Sequence, residues 1–444
     1  MELIRALRFD QSIQPPRVAF VGAGGKTTAI FDCARQLSGP VLITATAHLA
    51  EDQLALADQH FFANDGLLYQ LEKEIPPGST LITGFVQGDS KRTLGLSDKL
   101  LERIHALANM HQIPLLVESD GSQQLALKAP ADHEPPIPEF VDMVVVVAGL
   151  TGLGKPLNSE WVHRPEIFSA LSGLQLEEIV TTETIAKVLT HPQGGLKNIP
   201  PQARRMVLLN QADTAELQAQ ITTQKSLFLQ SYHSMIVSSL TPDSTIHAVH
   251  QPISAVILAA GGSRRFGSPK QLLDWHGKPL IWHVAQKALR AGLNPVIVVC
   301  GSEKDSIQRA LEDLPVELVH NPDWQRGQGT SVKCGVQMVG YRGAGILFFL
   351  ADQPQIPDTL IQKLINVHAQ RLNPITGPMV DGQRANPVLF DRVTFEDLLA
   401  LSGEEGGRKL FGKFAVDWTP WHDPAPLLDV DTPEDYVRLL GIDL

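Results

Sequence analysis

Along the first half of the chain, short runs of β-branched and aliphatic residues alternate with amphipathic stretches. RVAFVG is followed by TTAIFDCARQL, and PVLITAT, STLITG, PLLVESDG, DMVVVVAG and MVLLNQAD come later. Strands that alternate with helices build parallel α/β units, because a parallel neighbour is reached only through a crossover. The order then restarts with SAVILAAGG, NPVIVVCG, VELVHNP and GILFFLADQP. Between the two series lies SSLTPDSTIHAVHQP, a polar stretch with two prolines and few packing residues. The pattern predicts two unlike α/β domains in tandem, residues 1–240 and 253–444, joined by a linker over 241–252.

A chain of 444 residues with 43% apolar content is long enough for more than one core, given ~150 residues per domain. The net charge of -11 and pI near 5.7 lack the broad positive field that nucleic acids and anionic membranes require. Cys33, Cys300 and Cys334 are widely spaced, odd in number and without a CxxC partner. That usage predicts a reducing cytoplasm rather than a disulfide framework or a cysteine zinc site. The N-terminal stretch has no long apolar segment, and runs such as MVVVVAGL and GILFFLA fall far short of the ~20 residues of a membrane span. The expectation is a soluble protein whose partners are small molecules.

Residues 258–273 read LAAGGSRRFGSPKQLL. In an open parallel sheet, ligands bind where strands end, and glycines let the backbone approach phosphate oxygens closely. Leu258, Ala259, Ala260, Gly261 and Gly262 are therefore expected to line a nucleotide triphosphate cradle, with Arg265 and Lys270 supplying fixed positive charge. The stretch resembles the signature of nucleotidyltransferases that act on molybdenum cofactor, within a wider group of Rossmann-like α/β fold. NPDWQRGQGTSVKCG (321–335), LADQP (350–354), NPVLF (386–390), LSGEEGGRKL (401–410) and DVDTPEDY (429–436) extend the likeness over essentially all of 253–444. It is closest to the MocA-like molybdenum cofactor cytidylyltransferases, which carry LAAG where the guanylyltransferases usually carry LAGG. Ala385 and Asn386 stand where relatives often have Gly-His, and Glu404 stands where an Asp is usual.

The resemblance implies CTP as substrate, with GTP as the alternative nucleotide. The acceptor would be molybdopterin cofactor or another phosphorylated compound. A substrate phosphate would attack the α-phosphorus in line and expel pyrophosphate, so that positioning and charge neutralisation do most of the catalysis. Arg265, Lys270 and Asp352 are the implied catalytic residues. Asp352, together with Asp429 or Asp431, would hold magnesium. Ser331 would either contact the base or sugar or cap the next helix.

The other glycine-rich stretch, RVAFVGAGGKTTAIFDCARQL, has the layout of a phosphate-binding loop: strand, glycine turn, Lys-Thr and amphipathic helix. Phe20 occupies the position of the first glycine of the full motif, so this is a short GxGGKTT form resembling the loop of Mur-type ligases. Gly22, Gly24, Gly25 and Thr28 would cradle phosphates, Lys26 would bridge the outer ones, and Thr27 would bind magnesium. PLLVESDG ends a buried strand in Glu118 and Asp120, as a second metal-holding strand should, with Asp120 as the expected ligand. VLLNQAD resembles a guanine-reading NKxD motif through Asn210 and Asp213, with Gln211 in place of the Lys. GTP is favoured on that ground and ATP stays open. GAGGKTT, TATAHL, ESDGSQQLALKAPADHEPPIP and GKPLNSEWVHRPE together are similar to the YqeC family of accessory proteins for selenium-dependent molybdenum hydroxylases. That likeness covers about 17–240 and implies molybdenum hydroxylase apoenzymes as partners. Asp120, Lys128, His133, Glu134, His163 and Arg164 offer the side chains of an anion or metal site in proline-stiffened loops.

Overall fold

A computed structural model of the chain describes residues 1–86, 92–240, 244–261, 266 and 268–442. Gly262 and Arg265, both expected at the nucleotide, lie outside the described residues. The chain divides into two compact units, Met1–His250 and Gln251–Leu444.

The first unit is built on a nine-stranded sheet. Its strands are β1 (Arg17–Gly22), β2 (Val41–Ala45), β3 (Gln59–Phe62), β4 (Ser79–Thr83), β5 (Leu115–Glu118), β6 (Met143–Gly149), β7 (Arg204–Asn210), β8 (Ser234–Ser239) and β9 (Thr245–His250). Their spatial order is β9-β8-β7-β6-β1-β5-β2-β4-β3. Every pairing is parallel except β8 with β9. β6 reads MVVVVAG and is buried along its full length, as a parallel strand with both faces covered must be. Ala19, Val21, Val144, Val146, Val207 and Leu209 pack in one core, while Leu42, Ile82, Leu115 and Val117 pack in another with the helix Asp98–Met110.

The expected linker differs from what is found. Residues 245–250 form β9, an antiparallel edge strand that buries Ile246 and Val249 and pairs with β8 across a register shift at Val237/Ser238. Pro252 follows this strand instead of marking a long connection. The strand ends where the first compact unit ends, at His250.

The second unit holds β10 (Ile253–Ala259), β11 (Val296–Cys300), β12 (Glu317–His320), β13 (Gly345–Leu350), β14 (Ile375–Val380), β15 (Gln383–Arg384), β16 (Val388–Asp391) and β17 (Val416–Trp421). The order is β12-β11-β10-β13-β16-β14-β15, with β17 paired to β14. β10 to β13 are mutually parallel, and β16 runs antiparallel to both β13 and β14. The chain leaves β10 for β11 on one side and later returns to β13 on the other. Such a reversal of winding opens a crevice at the carboxyl end of β10.

Candidate functional site

β10 delivers Leu258 and Ala259 to that crevice, and Ala260 and Gly261 follow. They line a cleft of about 550 Å³ together with Lys270, Ser331, Glu404, Asp352, Asp429 and Asp431. Lys270 opens the short turn Lys270–Leu272, while Asp352 stands two residues past β13. Lys270 is ion-paired with Asp352, and its Nζ also lies 2.7 Å from Asp431 Oδ1. Burial alone would lower the Lys270 ammonium, but Asp352 and Asp431 outweigh it and hold its pKa above the ordinary lysine value. The neighbouring Asp429 accepts a hydrogen bond from Gln353 Nε2. Its pKa is raised, first by burial and then by the like charges of Asp352 and Asp431.

Among the described residues lining this cleft, Lys270 is therefore one cation against four carboxylates: Asp352, Glu404, Asp429 and Asp431. No group of three or more His, Cys, Asp or Glu among the described residues is placed to hold a metal ion by itself. Magnesium does not need such a cage, because it takes one or two carboxylates and keeps waters and substrate phosphate oxygens. The surplus of negative charge at Asp352, Asp429 and Asp431 fits a divalent cation that arrives with a triphosphate.

Ser331 is buried in the first turn of the helix Gln328–Val339 and makes no cap bond. Asn321 Nδ2 donates to Ser331 Oγ at 2.9 Å and to Thr330 Oγ1 at 2.8 Å, which fixes this wall of the cleft. Gly327 caps the helix at φ +116°, and a Cβ there would lie 2.2 Å from the Gly403 backbone. Only glycine lets the two loops approach so closely.

A second hollow of about 500 Å³ shares Leu258, Gln328, Leu350 and Glu404 with the first. It adds Arg384, Ala385, Asn386, Arg408, Lys409 and Phe411. The Arg384 guanidinium lies 5.2 Å from the Trp418 ring centre and 5.6 Å from that of Phe411. The Arg384 guanidinium thus rests over two aromatic rings, while Lys409 pairs with Glu405, which lines the same hollow. Arg408 and Lys409 fall within the stretch LSGEEGGRKL and, with Phe411, in the short helix Gly407–Gly412, whereas Arg384 and Phe411 carry no motif spacing that marks them in the sequence.

In the first unit, β1 ends in a loop whose glycines are required by geometry. Gly22 and Gly24 have φ of +96° and +78°, and a Cβ would meet Val147 O at 2.2 Å and Gly149 N at 2.3 Å. Lys26 and Thr27 begin the helix Lys26–Gln36, with Thr28 half-buried behind them. Lys26 Nζ donates back to Gly22 O at 2.6 Å and lies 3.3 Å from Asp120 Oδ1. Asp120 in turn accepts from Gly22 N at 3.0 Å and pairs with Lys128 at 2.7 Å. Lys128 lies 2.8 Å from Glu134, which Arg164 grips with two nitrogens at 2.7 and 3.0 Å.

Of the six residues grouped there from sequence, four thus form an alternating chain of charges. His133 is exposed, and no metal cluster arises from the group among the described residues. Burial alone would raise the Glu134 carboxyl, but hydrogen bonds and charges from Arg164 and Lys128 override it and bring its pKa down to about 2.

Asp120, the expected metal ligand, is instead engaged by two lysines and a loop amide. The carboxylate beside Thr27 is Glu118, whose Oε2 accepts from Thr27 Oγ1 at 2.9 Å. Gln53 Nε2 donates to the same hydroxyl at 2.8 Å, a contact with no signal in the sequence. Burial raises the Glu118 pKa, opposed by Lys26 and the Thr27 hydrogen bond. Asn210 is buried, and its amide is spent on the backbone: Nδ2 donates to Gly24 O at 2.8 Å and Oδ1 accepts from Leu240 N at 2.8 Å. It therefore holds the glycine loop, while Asp213 is exposed.

A nucleotidyltransferase domain of Rossmann-like α/β fold, preceded by a second α/β domain, is the class that fold and clefts define. Family models agree: residues 255–418 match the MobA-like NTP transferase domain, and residues 18–166 match the YqeC protein family. The uncharacterized protein YqeC of Escherichia coli (strain K12) is 32% identical over 220 residues, covering 48% of this chain and 82% of the relative. Nicotine blue oxidoreductase of Paenarthrobacter nicotinovorans is 29% identical, covering 42% and 96% respectively. Purine catabolism protein PucB of Bacillus subtilis (strain 168) is 32% identical, covering 41% and 92%. The chain belongs to the YqeC family through its first domain and to the MobA-like NTP transferase family through its second.

Proposed function

We propose that the second domain transfers CMP from CTP to Mo-molybdopterin, giving molybdopterin cytosine dinucleotide and pyrophosphate, in the cytoplasm. The observation that carries this reading is the pairing of Lys270 with Asp352 across one hollow at the point where the sheet reverses its winding. Leu258 to Gly261 would cradle the triphosphate, and Lys270 and Arg265 would neutralise its oxygens. Asp352 with Asp429 or Asp431 would hold Mg2+, which when bound stabilises charge on the α-phosphate and the leaving pyrophosphate. Ser331, anchored by Asn321, would meet the sugar or base. The adjoining hollow at Arg384 would take the acceptor and direct its phosphate at the α-phosphorus.

The first domain, in the same reading, binds GTP or ATP through Gly22, Gly24, Gly25, Lys26 and Thr28. Mg2+ would sit between Thr27 and Glu118, and Asp213 would remain available to the base. It would serve the maturation of molybdenum hydroxylases, selenium-dependent ones among them. Linking it to the transferase raises the effective concentration of a labile cofactor between two sites.

The test is to incubate the purified protein with each nucleoside triphosphate, Mg2+ and molybdopterin cofactor, and to analyse dinucleotide and pyrophosphate. Dinucleotide from CTP is expected. Product from GTP alone would overturn the base assignment, and binding without product would overturn transfer itself.

A further inference from the structure

We propose that a third hollow in the second domain is an effector site for a small anion bearing phosphate or carboxylate groups. It measures about 1000 Å³ and shares no lining residue with the cleft or the acceptor hollow. Lys278, Lys287, Arg290 and Arg438 line it with Asp358 and Asp423. Lys278 is paired with Asp313 at 2.9 Å and Arg438 with Asp435 at 3.5 Å, so the uncompensated charge lies at Lys287 and Arg290, which share Asp358.

The charge is least balanced at Lys287. Its side chain is 12% exposed, and its Nζ donates to Ile356 O at 2.9 Å and lies 4.0 Å from Asp358. Arg290 claims the same carboxylate at 3.3 Å, so one anion faces two cations. Burial lowers the Lys287 pKa, which Asp358 opposes and Arg290 reinforces. A half-buried ammonium in that state gains from an added anion more than an exposed one does.

The hollow is tied to the catalytic cleft through two adjacent loops. Gln355 Nε2 donates to Leu428 O at 2.7 Å and Ala425 O at 3.0 Å at the wall of the hollow. Two residues earlier, Gln353 donates to Asp429 in the catalytic cleft. The loop that carries Asp352 and the segment that carries Asp429 are thereby joined at both faces. An anion that draws Lys287 or Ile356 inward acts on the same joint. This coupling rests on the transferase reading, whereas occupation of the hollow does not.

The test titrates the full chain with inorganic phosphate and, separately, with citrate, following binding by calorimetry and intrinsic tryptophan fluorescence. Saturable binding of at least one probe is expected, weakened about tenfold in Lys287→Ala and severalfold in Arg290→Ala, an exposed position that keeps the fold. Lys270→Ala should leave the affinity unchanged, because that residue lines the other cleft. Absence of saturable binding, or equal affinity in Lys287→Ala and Arg290→Ala, would overturn the site. A probe that binds there yet leaves the KM for CTP unchanged would overturn its effector role.

Discussion

In both domains the sequence places glycines and then a lysine after a central parallel strand, yet the two lysines are used differently. Lys270 stands in an open cleft, drawn forward by Asp352 and Asp431, with a second hollow beside it. Lys26 is folded back on its own loop, fastened to Gly22 O and to Asp120. The cleft of the second domain carries more negative than positive charge among its described residues. The loop of the first is already neutralised by an internal carboxylate. In the function proposed above, an incoming phosphate would have to displace Asp120 from Gly22 N and Lys26, while the Asp120 pair with Lys128 could persist. One motif layout thus yields an open site in one domain and a self-occupied one in the other.

The sharpest way to break this contrast is to remove the charges of the open cleft. Lys270→Ala and Asp352→Asn should each lower nucleotidyl transfer by ~10³-fold or more, measured as pyrophosphate release. Next in size, Lys26→Ala should weaken nucleotide binding by the first domain by ~10²-fold, read by titration with GTP and ATP, with transfer unchanged.

The internal chain of charges makes a third, pH-dependent prediction. The Glu134 pKa is depressed from 4.5 to about 2, so its contribution to stability is present above the unfolded value and lost as pH falls towards 2. Glu134→Gln should flatten the stability profile of the first domain between those values by about 1–3 kcal/mol, discounted for partial exposure. An unchanged profile in chemical denaturation would remove the chain from the account. The smallest effect is expected at Ser331→Ala, about 1 kcal/mol or less in stability, because Asn321 keeps its bond to Thr330.

Both lysine segments were legible in the sequence because the signal is local: an apolar run, glycines and a lysine at fixed spacing, with positive φ at Gly22, Gly24 and Gly25 in the first. The parallel sheets were legible for the same reason. Edge strand β9 was not, because TIHAVH is short, half-exposed and bracketed by prolines, and only its pairing with β8 identifies it. The choice between Glu118 and Asp120 also escaped. Glu118 ends the buried strand β5 and Asp120 lies two residues beyond it, so alternation of faces no longer decides which one reaches Thr27. Asn210 reads as a base contact in its motif, but its neighbours Gly24 and Leu240 are distant in sequence. The second hollow was legible in part: the family likeness singles out Ala385, Asn386 and Glu404, which line it, whereas Arg384 and Phe411 meet them only through the order of the strands.

The most direct test of two independent nucleotide sites follows label from the α-phosphate of CTP into molybdopterin cofactor, using wild type, Lys26→Ala and Lys270→Ala. The account predicts full transfer by wild type and Lys26→Ala and none above background by Lys270→Ala. Transfer that survives Lys270→Ala, or that disappears in Lys26→Ala, would contradict it.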